Sequence, residues 1–241
     1  STVVNSNGNV QVSSGGMAKD TELNFNAQLH VSPGASASGG NVHSYGRVYA
    51  SSNTSICGFH VSYGGGLYGQ GTGVTFDGIV VSSGADFNAG QSPGVKVIHT
   101  TLASNASFWC LSGVNITSAA VMSGAYLGVS SGGKCYDAAV AAGGRVAHGV
   151  WGHDSDTIVT GTNQYGSFHT SNGTACNYVL AGGQDQQLYY YASAVSTVMS
   201  AGGSQFVSFG AVAQFTTIFS GAWQRIFSSG RAMDTVVNSY G

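Results

Sequence analysis

Apolar residues return along this chain at a steady interval of about nineteen to twenty-one positions, a period on the scale of solenoid coils. One series runs Val4, Leu23, Val42, Val61, Val81, Leu102, Val121, Val140, Val159, Val179, Val198, Ile218 and Val237. A second keeps the same step through Val10, Leu29, Val48, Leu67, Phe87, Phe108, Leu127, Val146, Phe168, Leu188, Val207 and Ile226. A third carries smaller side chains: Ala18, Ala37, Ile56, Thr75, Val95, Ile116 and Cys135, then, past Asp154, Ala175, Ala194, Ala213 and Ala232. Around each station apolar and polar residues alternate, as in Val10-Gln11-Val12, and an alternating pattern is that of a strand with one buried face. Three stacked columns predict three short strands per coil and about twelve coils closing on one narrow core. The whole of 1–241 then reads as a single all-β solenoid, a parallel β-helix, right-handed by the usual crossover rule. At the spacing of paired strands twelve coils make a rod about 58 Å long. A β-propeller is the rival, but its blades need about 40 residues each.

Turns separate the columns at glycine pairs such as Gly15-Gly16, Gly64-Gly65, Gly132-Gly133 and Gly202-Gly203. Composition agrees with strands and tight corners. Glycine numbers 38 and proline 2, charged residues are 7% of the chain against roughly 25% in an ordinary domain, and hydrophobic residues are 42%. Seven basic residues (Lys19, Arg47, Lys96, Lys134, Arg145, Arg225, Arg231) stand singly in the sequence, which argues against nucleic acid, because phosphate binding rests on clustered cations. No apolar run is long enough to cross a bilayer as a helix.

The opening Thr2-Val3-Val4-Asn5-Ser6-Asn7-Gly8 returns as Thr235-Val236-Val237-Asn238-Ser239-Tyr240-Gly241. Both ends fall within a repeat, so the expectation is an uncapped segment of a longer protein. Val12-Ser13-Ser14-Gly15-Gly16-Met17-Ala18-Lys19-Asp20-Thr21-Glu22-Leu23 shows the unit well, as does Phe227-Ser228-Ser229-Gly230-Arg231-Ala232-Met233-Asp234-Thr235-Val236-Val237. This repeat resembles the passenger repeats of self-associating autotransporter adhesins of the AIDA, TibA and antigen 43 type. The resemblance covers the whole chain, more loosely over residues 47–125. It implies a right-handed β-helix displayed on a bacterial surface after export through the outer membrane. It also implies self-association, host attachment through a glycan or surface receptor, and a glycosyltransferase that modifies Ser or Thr.

Next to the second column the alternation sends one position per coil outward: His30, Tyr49, Tyr68, Asn88, Trp109, Gly128, Ala147, His169, Tyr189, Ser208 and Phe227. Aromatic rings on a regular surface suit sugar rings or another protein, so Tyr49, Tyr68, Trp109, His169, Tyr189 and Phe227 form the candidate binding stripe. The competing account is that the rings only stabilise the sheet by stacking coil to coil. His148, His153, Asp154 and Asp156 make the densest polar cluster, a candidate metal site by residue type alone, against the simpler reading of a solvated turn. Nine acids (Asp20, Glu22, Asp77, Asp86, Asp137, Asp154, Asp156, Asp185, Asp234) are spread along the rod, and no pair recurs in one column as a glycosidase would need. No catalytic residue and no cofactor is expected. Cys57 and Cys176 share a phase six coils apart, beyond disulfide reach, and Cys110 and Cys135 read as small buried hydrophobes. The functional expectation is an adhesin passenger. The alternatives are a polysaccharide-binding or polysaccharide-cleaving β-helix, or a structural fibre subunit stacked end to end.

Overall fold

The structure, a computed structural model, describes residues 1–90, 92–148 and 154–239. All its regular elements are strands, thirty-four among the described residues, and every pairing between them is parallel. Each coil carries three strand segments. The first face takes strands such as Asn9–Val12, Gln28–Val31, Arg47–Ala50 and Gly66–Gly69. The second and third faces share longer strands, Met17–Leu23, Ser36–Val42 and Ser55–Val61, each bent at its middle. Farther along, the same path splits in two, as in Val114–Thr117 and Ala120–Val121.

The bend has a common backbone cause. One residue there adopts a left-handed conformation, with φ of 47° at Asp20, 58° at Ser118 and 55° at Asp137. Asp, Asn and Gly tolerate that region best, and a β-branched residue does not. Beside the equivalent corner, Gly40 serves a packing need: a Cβ there would lie 2.9 Å from the Phe59 ring, which is buried without exposure in the next coil.

Through residue 140 the first series holds as read, with Val4 opposite Leu23, Leu23 opposite Val42, and so on to Val121 opposite Val140. The second series holds from Val10 to Phe87 and from Phe108 to Val146. Where the coils lengthen, aromatic rings fill the added width: Phe87 stacks on Phe108 at 4.5 Å and meets Phe76 edge-on at 5.2 Å. Fully burying a Leu, Ile or Phe stabilises by about 1.5–3 kcal/mol, so this continuous stack is the main source of rigidity.

The register corrects the series in four places. In the third column Phe76 and Val97 stand in line with Ile56 and Ile116, whereas Thr75 faces outward and the buried Val95 pairs with Val114. Val159 belongs to that third column, opposite Cys135 and Ala175, so a long step there is followed by a short one. Downstream the first column runs Leu180, Met199, Ile218, Val237, each opposite the next, while Val179 and Val198 pair one position away. Phe168 faces Gln186 instead of Leu188. The physical reason is that side-chain direction alternates with period two, so an uneven coil moves the next apolar residue to another station or face.

The vacated inward station is polar. Gln186 and Gln205 are fully buried, and Gln205 Nε2 donates to Gln186 Oε1 at 2.5 Å while Gln224 Nε2 donates to Gln205 Oε1 at 2.6 Å. A parallel threonine row joins them: Thr197 Oγ1 donates to Gln186 Oε1 at 3.0 Å, and Thr216 and Thr235 repeat the contact one and two coils on at 3.4 Å. Stacked amides satisfy one another coil by coil, the arrangement that lets buried polar groups persist. The ladder stops at Phe168, leaving Gln186 Nε2 without an acceptor among the described residues.

Candidate binding face

The outward row of the first face starts with three stacked rings. His30 lies 4.8 Å from Tyr49 at an interplanar angle of 18°, and Tyr49 lies 5.4 Å from Tyr68 at 21°. Their register explains it, since His30, Tyr49 and Tyr68 occupy paired positions in successive coils. Tyr68 is anchored from both sides. Arg47 donates to its hydroxyl at 2.6 Å, and that hydroxyl donates to Asp86 at 2.8 Å. Desolvation first, and then the Asp86 carboxylate, push the Tyr68 phenol up to about 12, so it stays a neutral donor.

Trp109 continues the row with 44% of its surface exposed. Its ring lies over Gly128 in the next coil, where any Cβ would collide with the indole, and Tyr126 sits 5.4 Å away. Glycine at 128 is what lets the indole lie down on the sheet.

The C-terminal part of the row is not one line. His169 pairs with Gln187, and Tyr189 pairs with Ser171, so the two stand two positions apart in register. The sequence spacing placed them together because the interval between them matched a whole coil, whereas this coil is short. Tyr189 instead shares its line with Ser208 and Phe227, given that Leu188, Val207 and Ile226 pair in order just before them. Phe227 is 48% exposed and parallel to Phe206 at 6.2 Å. Phe206, Trp223 and Arg225 complete an aromatic patch that the column reading passed over. Phe206 meets Trp223 edge-on at 4.7 Å, and the Arg225 guanidinium lies 4.9 Å from the centre of the Trp223 ring.

Beside it runs a polar network. His169 Nε2 is 3.0 Å from Asp185 Oδ2, Gln187 Nε2 donates to the same oxygen at 2.6 Å, and the Tyr189 hydroxyl donates to Gln187. The His169 contact, aided by Gln187 and Ser167, holds the Asp185 carboxyl down at about 2. Asp154, also within reach of the His169 charge, is instead raised by burial. This groups Asp154, His169 and Asp185, which the sequence had left unconnected.

Of the proposed metal cluster, His153 and the His148 side chain lie outside the described residues. Asp156 sits at a turn in left-handed conformation, φ 57°, exposed to solvent. Among the described residues no three His, Cys, Asp or Glu side chains converge on one point. All four cysteines are free, and burial raises the Cys110 thiol to about 12 and Cys135 further still. Among the described residues no helix is long and apolar enough to cross a membrane.

Against known proteins, residues 160–222 match the family model described as adhesin of bacterial autotransporter system, probable stalk. Among solved structures, a fragment of TibA hyper-glycosylated by TibC superposes with a TM-score of 0.66 at 28% identity, over 100% of this chain and 93% of that one. The Dettilon tailspike protein superposes at 0.50 with 13% identity, over 96% of this chain and 60% of its own, which speaks for the fold alone. No curated protein sequence matches.

Proposed function

We propose that the chain is an autotransporter adhesin passenger of the AIDA/TibA type, a reading supported by the stalk-family match over residues 160–222 and the likeness to TibA, and that it is a cell-surface rod that joins further copies of itself and attaches to host surfaces. The observation that supports this best is the stacked outward row His30–Tyr49–Tyr68, extended by the exposed Trp109. Ordered rings spaced one coil apart offer an apolar contact with little side-chain entropy left to lose, the property of aromatic anchors in interfaces. Sixteen charged side chains, seven basic and nine acidic, and a net charge of −2 give little repulsion between copies. Weak contacts repeated along a straight rod then add up. Export through the outer membrane belongs to the same reading.

Ser13, Ser14, Ser228 and Ser229 stand exposed at turns, where a glycosyltransferase could reach them as TibC reaches TibA. Kinship to adhesins points to binding, and away from catalysis, as the role of the faces. Sedimentation velocity over a concentration series tests the proposal, with a variant carrying Ser at Tyr49, Tyr68, Trp109 and Tyr189. The expected result is concentration-dependent association in the parent and its loss in the variant, with circular dichroism unchanged. A parent that stays monomeric at high concentration removes the homotypic reading. Association that survives the four changes removes the stripe as its cause.

A further inference from the structure

The corner after the first face is made by glycine in many coils: Gly15, Gly34, Gly73, Gly94, Gly113 and Gly132 all take positive φ there. Late in the rod the same corner is aromatic. Tyr190, Tyr191 and Phe209 have φ of 38°, 65° and 50°. They are 52%, 79% and 51% exposed. Left-handed backbone is unfavourable for any residue with a Cβ, and an exposed ring gains little from burial.

These rings border an open groove of about 570 Å³, lined by Tyr190, Tyr191, Phe209, Val212, Ser229 and Arg231. Tyr190 and Phe209 stack at 5.3 Å and 18°, and the Tyr191 ring lies within 3.0 Å of where a Gly210 Cβ would stand. Val212 and Arg231 are register partners in adjacent coils, so the guanidinium flanks the apolar floor. Among the described residues Arg231 enters no ion pair and lies over no ring. The groove therefore combines ring surfaces, three hydroxyls and one uncommitted cation.

We propose that this groove is a glycan subsite for a pyranose bearing a carboxylate, such as a uronic or sialic acid residue. The sugar's C–H face packs on Phe209 and Tyr191, its hydroxyls bond those of Tyr190 and Ser229, and Arg231 takes the carboxylate in a two-pronged pair. A single cation suits one carboxylate and not a phosphate backbone, which needs several. The inference deepens the attachment part of the function proposed above and is independent of self-association.

Isothermal titration with 3′-sialyllactose, hexagalacturonate and neutral maltohexaose tests it on the intact chain and on Arg231→Gln, Phe209→Gly and Tyr191→Gly. The glycine variants relieve the backbone strain, so folding is preserved, and an undiminished melting temperature verifies it. The expected result is binding of at least one carboxylated probe, selective over maltohexaose and weakened tenfold or more by Arg231→Gln and by each glycine variant. Which carboxylated probe binds identifies the sugar. No binding of either acidic probe, equal binding of maltohexaose, or affinity indifferent to Arg231→Gln overturns the subsite. A chain that binds an acidic probe yet never self-associates loses the homotypic reading and keeps this one.

Discussion

Replacing Gln205 by Leu is predicted to be costly, whereas removing the whole polar ladder is not. Gln205 is buried and connects Gln186 to Gln224 through side-chain hydrogen bonds of 2.5 and 2.6 Å, with Thr216 donating to it at 3.4 Å. Leu at 205 leaves the Gln224 amide and the Thr216 hydroxyl without their acceptor. An orphaned buried group costs about 1–3 kcal/mol, so the single change should destabilise by about 3 kcal/mol after the gain from an apolar side chain. Replacing both partners by apolar groups of similar shape is nearly neutral. The sixfold variant with Leu at Gln186, Gln205 and Gln224 and Val at Thr197, Thr216 and Thr235 should therefore cost less than Gln205→Leu alone. Urea denaturation followed by circular dichroism gives both free energies, and hydrogen exchange over residues 186–224 localises the loss. A single variant within about 0.5 kcal/mol of the parent, or a sixfold variant near the sum of six separate costs, refutes the reasoning.

Asp at Val140 should break the rod locally, since the site is 8% exposed and an unpaired buried carboxylate has no compensation. Asp at the half-buried Ala141, which faces the other way, should be tolerated, and equal melting temperatures would deny the register. Because Asp185 is held at about 2 against an ordinary 3.8, its pairing stabilises the fold fully above pH 4 and fades as pH falls towards 2. The melting-temperature gap between the parent and Asp185→Asn should therefore close over that interval, and a constant gap would contradict the pairing. Cys110 and Cys135, buried with raised thiols, should resist a thiol reagent at pH 8 in the folded chain, while the half-buried Cys57 labels first. Mass spectrometry of the labelled peptides reads the order.

How far the fold could be read from residues alone follows from its chemistry. From Val4 to Val140 every inward station of the first column is aliphatic and the interval barely varies, so apolar spacing alone locates the strands. Beyond Cys135 a long coil and then a short one break the interval, and a scan for apolar residues passes over a column of glutamine. The signal was nevertheless present: Gln186, Gln205 and Gln224 recur at the step of one coil, as do Thr197, Thr216 and Thr235. Identity at a fixed step, and not apolarity, marks a self-pairing ladder. Of the binding face, Tyr49, Tyr68 and Trp109 were legible from alternation, because their coils are regular. His169 was misplaced by the short coil. The Tyr190–Phe209 groove left no trace, since aromatic residues ordinarily read as strand formers and nothing in their type announces a left-handed corner.

In the proposed function the rod's aromatic row joins copies of the chain on cell surfaces. Bacteria displaying the chain can be mixed with differently labelled bacteria that lack it, and their settling followed under a microscope. The predicted result is clumps made of displaying cells alone, dispersed when Tyr49, Tyr68, Trp109 and Tyr189 are changed to Ser at equal display level. Displaying cells that stay dispersed, or clumps that persist with the four serines, would contradict it.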